Sequence, residues 1–199
     1  MRILLLQVST HDIKDYAVHS LPRNLRYATE KGYDYFLYQK NRFQYPAMWL
    51  KIEVFKHLNY AEYDHIWVLD ADCVINDFSI DLEEVINSDK KDVIISENGP
   101  NGGLRLNSGS IVYSARIVPE LLARYDKWLA EKNPHIFQHW HDQQLINEWN
   151  DSHPEIFSVR DYSELNSWWG EMDPANFVFH FMARDRSEKI DLIRKHLGA

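Results

Sequence analysis

The sequence predicts a single α/β domain whose mostly parallel central sheet is flanked by helices. Three observations lead there. Apolar strand-like and helix-like segments alternate through the first half of the chain, the apolar runs are short and bounded by turn residues, and two carboxylates close the strongest of those runs. A length of 199 residues suffices for one domain with a substantial core and is short for two, so residues 1–199 are read as one unit.

Arg2–Val8, built around Ile3-Leu4-Leu5-Leu6, reads as a first buried strand. It is too short for a signal peptide or membrane span, and no small-residue cleavage site follows it. Ser20 as N-cap and Pro22 in the first turn then open a helix that stops at Gly32. Tyr35–Tyr38 is a second strand. After Pro46 a second helix carries Met48, Ile52 and Phe55 on its core face. Ile66–Leu69 is the third strand, an apolar run suited to burial on both faces. Strand-helix-strand-helix-strand is the order of a parallel α/β sheet. The second half adds a short helix over Asp81–Asn87, strands at Asp92–Ser96 and Leu106–Tyr113, a long helix over Val118–Glu131 and a shorter one over Asp142–Trp149. A last strand at Phe177–Phe181 precedes a polar helix over Ser187–Leu197. The Gly-rich segment Asn98–Gly103 lacks the spacing of a dinucleotide or P-loop site and reads as a turn.

Composition narrows the function classes. A net charge of −8 argues against a nucleic-acid binder, which needs a basic stripe, but not against a nucleotide held through a metal. The single cysteine, Cys73, cannot form an internal disulfide and reads as a small buried residue on a strand extension. No stretch approaches a membrane-spanning length; the expectation is a soluble, cytoplasmic protein.

Asp70-Ala71-Asp72 stands at the carboxyl end of the third strand, where open α/β sheets bind their ligands. Two nearby anions repel each other unless a cation or hydrogen bonds compensate. Residues two apart on an extended chain share a face, so both carboxylates can meet one ion. Hard oxygen ligands suit Mg²⁺ or Mn²⁺.

The runs Trp49-Leu50-Lys51-Ile52, Tyr63 through Asp72, Leu106-Asn107-Ser108-Gly109-Ser110, Asp142-Gln143 and His180-Phe181 together resemble a GT-A glycosyltransferase. The nearest pattern is the galactosyl/xylosyltransferase group that includes galactomannan galactosyltransferases and xyloglucan xylosyltransferases. The motifs fall in the family's order over residues 49–181. The resemblance implies a GT-A (Rossmann-like) fold and a donor metal held by Asp70, Asp72 and His180. It also implies a donor-sugar segment at Asn107, Ser108 and Gly109, and a donor-site role for Lys51. Asp142 and Gln143 match the pair on the acceptor or reacting-sugar side. The substrates implied are a nucleotide sugar, in first place a UDP-sugar, and a carbohydrate or glycoconjugate acceptor, with retention of anomeric configuration. On that reading Asp142 positions the sugar or stabilises positive charge at the anomeric carbon. One imidazole beside carboxylates tilts the metal toward Mn²⁺. The chain departs from the family at Met182-Ala183, where Ala-Gly usually follows His-Phe.

Arg184 and Arg186 follow His180 closely and are candidates to contact the diphosphate; Arg23 is another near the first helix start. Trp168 and Trp169 are candidates for an acceptor platform. His135, His139 and His141 crowd near Asp142, but no single local conformation puts all three on one face, which makes a zinc site awkward. Two alternatives compete with sugar transfer. A sugar-nucleotide nucleotidyltransferase would show glycines near its first strand, and Gln7–Asp12 has none. A carbohydrate-binding module would draw on the seven Trp and eleven Tyr.

Overall fold

In the computed structural model, which describes residues 1–10, 13–40, 44–99, 104–138, 141–168, 173, 175–182 and 185–198, a six-stranded sheet forms the centre. Its strands are β1 (Ile3–Thr10), β2 (Asp34–Lys40), β3 (His65–Leu69), β5 (Val93–Glu97), β6 (Leu106–Ser114) and β7 (Phe157–Arg160), in the order β2-β1-β3-β6-β5-β7. β1 pairs in parallel with β2 and β3, and β5 with β7; only β6 runs against its neighbours. The sheet is therefore mostly parallel, as expected. The period-two alternation of β1 divides the core. Leu4, Leu6 and Val8 join Trp49, Leu50 and Tyr125 on one face, while Ile3 and Leu5 join Tyr27, Ala28 and Phe177 on the other.

A second, three-stranded sheet of β4 (Cys73–Ile75), β9 (Val178–His180) and β8 (Ser167–Trp168) has the order β4-β9-β8. Three residues separate the end of β3 from the start of β4, and these, Asp70, Ala71 and Asp72, form the turn between the two sheets. Among the described residues, no helix is long and apolar enough to cross a membrane.

The helices are α1 (Lys14–Lys31), α2 (Leu50–Glu53), α3 (Leu82–Asp89), α4 (Val118–Ala130), α5 (His141–Ser152), α6 (Tyr162–Leu165) and α7 (Arg186–Leu197). Three sequence readings need correction. α1 ends at Gly32 in the left-handed region (φ 73) as expected, but starts at Lys14, with Pro22 inside it. Ser20 is no cap there: its hydroxyl donates to the carbonyls of Ala17 and Ala71. The helix after Pro46 is a 3-10 turn (Ala47–Trp49), α2 and a second 3-10 turn (Val54–Lys56) in succession. Its buried residues are Trp49, Leu50, Lys51, Ile52, Val54 and Phe55, whereas Met48 is 43% exposed. Finally, β7 and β8 were not foreseen. β7 is a four-residue edge strand, at the shortest length at which alternation reads, and β8 with two residues is below it.

Candidate functional site

The reversed direction of β6 builds the site. Its first residues, Leu106 to Gly109, lie at the same end of the sheet as the carboxyl ends of β1 and β3, because β6 is antiparallel to β3 with Leu69 opposite Ser110. Asp70 N–H then donates to the Gly109 carbonyl at 2.8 Å. Antiparallel pairing of β4 with β9 sets Cys73 opposite His180, and Phe181 N–H donates to the Asp72 carbonyl at 3.2 Å. Two sheet registers thus gather side chains remote in sequence. Asn147 pins the start of α5 to the start of β6, accepting from Leu106 N–H at 3.0 Å and donating to its carbonyl at 3.2 Å. Asp142, in the first turn of α5, thereby reaches the same place.

The result is a line of alternating charges. Lys51 Nζ lies 2.9 Å from Asp70 Oδ1 and 2.9 Å from Asp142 Oδ2. It also donates to the Ser108 carbonyl at 2.9 Å and to Ser108 Oγ at 3.2 Å. Four acceptors for three N–H groups leave this ammonium no proton to spare. It ties Asp70, Asp142 and the Ser108 segment together. Across the turn, His180 Nε2 lies 3.3 Å from Asp72 Oδ1 and 3.8 Å from Asp70 Oδ2. Lys189 of α7 donates to the other oxygen of Asp72.

Burial opposes the Lys51 charge, but Asp142 and Asp70 outweigh it and raise its pKa. Burial likewise opposes ionisation of Asp72, yet His180 and Lys189 hold it well below the usual carboxylate range. Asp70 goes the other way: burial raises it, helped by Asp72 and Asp142 against the pull of Lys51 and His180.

Three carboxyl groups (Asp70, Asp72, Asp142) meet two ammonium groups (Lys51, Lys189) and one imidazole (His180) in this cluster. His180 Nε2 thus lies within 4 Å of one oxygen of Asp70 and one of Asp72, a donor set of two hard oxygens and one imidazole. That set fits Mn²⁺ or Mg²⁺. Ligand atoms of Asp72, Cys73 and His180 also lie within 4.8 Å of one another. Burial raises the Cys73 thiol's pKa, and its Sγ donates to the Gly109 carbonyl at 3.2 Å.

Gly109 is required by contact. A Cβ there would stand 2.3 Å from His180 Cε1 and 2.4 Å from its Nδ1. Asn107 Oδ1 accepts from Gly109 N–H at 2.8 Å and so shapes this segment. Beside the cluster lies a cavity of about 210 Å³, lined among others by Thr10, Tyr16, Met48, Lys51, Asp70 and Lys189. Thr10 Oγ1 is buried there with no hydrogen-bond partner. Asp70 keeps 27% of its side-chain exposure, whereas Asp142 keeps only 6%. Gln143 follows Asp142 on α5, and its Nε2 is buried without a partner.

Several candidates fall elsewhere. Arg23 donates to the carbonyls of Ile75 at 2.6 Å and Asn76 at 2.7 Å, a clamp on the turn after β4. Arg186 pairs with Asp15. Arg184, His139 and Trp169 lie outside the described residues. His135 packs on Trp128 with ring centroids 5.8 Å apart, and His141 Nδ1 sits 3.3 Å from the Ile136 carbonyl, so the two serve packing. Lys189 and Asn166, which touches His180, were not singled out as metal-centre residues. One sits in a polar helix that reads as solvated and the other in a loop, and neither has a local signature.

No protein-family model matches the chain, and no curated protein sequence matches it. Solved structures do. A glycosyltransferase involved in the glycosylation of the major capsid of PBCV-1 superposes with a TM-score of 0.83 at 13% identity, covering 98% of this chain and 100% of that one. The galactosyltransferase LgtC, in complex with donor and acceptor sugar analogs, gives 0.66 at 10% identity, over 96% and 95% of the two chains. Mouse xyloside xylosyltransferase 1 gives 0.57 at 12% identity, over 92% and 98%. At such identities the likeness establishes the fold: the chain has the GT-A fold.

Proposed function

We propose that this protein is a metal-dependent glycosyltransferase that moves a sugar from a nucleotide-sugar donor, a UDP-sugar in first place, to a carbohydrate hydroxyl. The observation that carries the reading is the placement of Asp72 Oδ1 and Asp70 Oδ2 at 3.3 and 3.8 Å from His180 Nε2 at the ligand-binding end of the sheet, beside the Lys51–Asp142 pair. The GT-A fold supports it as an analogy of fold. When bound at these three ligands, a divalent metal supplies Lewis-acid stabilisation of charge building on a leaving diphosphate.

The chain's own residues supply the rest. Asp70 and Asp72 hold their metal-facing oxygens in place because Lys51 and Lys189 occupy the others. Thr10 Oγ1, unpartnered at the end of β1, offers a hydrogen bond to the donor inside the cavity. Asp142 is held by Lys51 through one oxygen. Its buried negative charge next to the donor segment Asn107–Gly109 stabilises positive charge developing at an anomeric carbon, in keeping with retention.

The acceptor side of the reading lies with Tyr45, Met48 and Phe137. Met48 lines the cavity. The Ile136 carbonyl, which accepts from Trp49 Nε1 at 3.0 Å, ties the next residue, Phe137, close to the Ala47–Lys51 stretch. Phe137 is 69% exposed, and its ring lies 6.0 Å from that of Tyr45. An exposed aromatic rim of this kind suits the apolar face of a sugar ring.

The test is a thermal-shift panel of nucleotides and nucleotide sugars with and without Mn²⁺, on the wild type and on Asp72→Asn. Metal-dependent stabilisation by a uridine diphosphate ligand, lost in the variant, is expected from mass-action linkage. No shift with any nucleotide and any divalent metal would contradict the proposal. Sugar binding that survives chelation and Asp72→Asn would point instead to a binding module.

A further inference from the structure

We infer that Asn166 is a positioning residue for the metal-facing imidazole: its amide carbonyl holds a proton on His180 Nδ1, so that Nε2 is the nitrogen left to a metal beside Asp70 and Asp72. The inference rests on the proposed reading of this centre as a metal site, and it concerns which residue makes His180 a ligand. Asn166 Oδ1 lies 2.9 Å from His180 Nδ1, and Asn166 is 1% exposed.

Backbone structure fixes both partners. Asn166 ends α6, its N–H donating to the Tyr162 carbonyl at 3.1 Å. It leads straight into β8, whose Trp168 is in register with His180 of β9. On its other side the imidazole rests against Gly109, where no Cβ fits.

A neutral imidazole carries one proton, on one nitrogen. If Nδ1 holds it, the Asn166 carbonyl accepts it, and Nε2 offers a lone pair to the space shared with Asp70 Oδ2 and Asp72 Oδ1. Nε2 then meets the nearby oxygens of Asp72 and Asp70 as an acceptor, an arrangement that a bound cation satisfies. If Nε2 held the proton, it would donate to Asp72 Oδ1 at 3.3 Å and could not ligate. The choice between a ligand and an ordinary hydrogen-bonding histidine is thus made at Asn166. Metal-binding histidines generally donate their second N–H to such an acceptor. Asn166 Nδ2 is buried with no partner of its own. An amide retained purely for stability would be expected to use both ends, whereas here the carbonyl end alone is used.

The experiment compares wild type with Asn166→Leu and Asn166→Asp. A long-range proton–nitrogen correlation spectrum of the protein with diamagnetic Mg²⁺ bound reads the His180 tautomer, and calorimetry with Mn²⁺ alone reads affinity. The wild type should show protonated Nδ1. Asn166→Leu should lose that preference and bind Mn²⁺ about 10–100-fold more weakly, the usual cost of losing an outer partner of a metal ligand. Its melting temperature in chelator should be unchanged or higher, since the unpartnered amide is gone. Asn166→Asp, which restores an acceptor, should recover the Nδ1–H form and Mn²⁺ binding. A wild-type Nε2–H tautomer, or Mn²⁺ affinity unaffected in Asn166→Leu, overturns the inference while leaving the metal site standing. A wild type that takes up no Mn²⁺ overturns the functional reading itself.

Discussion

Lys51→Met tests the charge arrangement at its densest point. Methionine keeps most of the apolar stem and removes the ammonium, leaving Asp70 and Asp142 without the cation each meets at 2.9 Å. Lys51 is 4% exposed and Asp142 is 4% exposed, so water replaces little of the lost interaction. Removing one partner of a buried ion pair costs about 3–5 kcal/mol, because the remaining charge is left uncompensated. At about 2–4 °C per kcal/mol for a chain of this size, melting should fall by about 6–20 °C. Urea unfolding with a chelator present gives the free-energy difference directly. The double variant Lys51→Met/Asp142→Asn should recover part of the loss, with a coupling of about 1–3 kcal/mol, since the orphaned carboxylate goes with the lysine. A single-variant cost within the surface range of about 0.5 kcal/mol, or strict additivity in the double variant, would refute the bridging role.

Gly109→Ala should displace His180, given Cβ distances of 2.3 and 2.4 Å, and calorimetry should show Mn²⁺ binding abolished or weakened at least about 10-fold. Arg23→Met should lower stability by about 1.5–3 kcal/mol in urea unfolding, because the carbonyls of Ile75 and Asn76 lose a charged donor, with nucleotide affinity unchanged. Acid unfolding should reflect Asp92. Burial opposes its ionisation, but Arg116 and Ser114 outweigh that and hold its folded pKa below the unfolded value. Its contribution is therefore complete above about pH 4 and lost as pH falls through the folded value, so Asp92→Asn should flatten the acid limb of a stability–pH curve.

The sequence carried the site's first half openly. Ile66–Leu69 is a buried run with Asp70 at its end, and both the strand and the carboxylate stand where that pattern puts them. Gly32 closed α1 as its left-handed tolerance predicts. Ser20 and Pro22 misled because they imitate a helix start. Tertiary structure overrides the signal: Ser20, Arg23 and Asn24 on one side of α1 all bond backbone groups between Ala71 and Asn76. The direction of β6 was hidden because an apolar run carries no sign for parallel or antiparallel pairing. Yet that reversal is what brings Asn107, Ser108 and Gly109 to Asp70. Lys51 was legible as a site residue, but not as a saturated bridge, since its partners come from a strand end, a separate strand and a helix start. Asn166 and Lys189 reach the centre only through the β8–β9 register and the docking of α7, contacts that no local pattern encodes.

The most direct measurement is a crystal structure with Mn²⁺ and uridine diphosphate, with data collected for manganese anomalous scattering. The account predicts a single strong peak among Asp70, Asp72 and His180, with the diphosphate beside it in the cavity lined by Thr10 and Lys189. Manganese bound elsewhere, or a nucleotide seated away from these three residues, would contradict it.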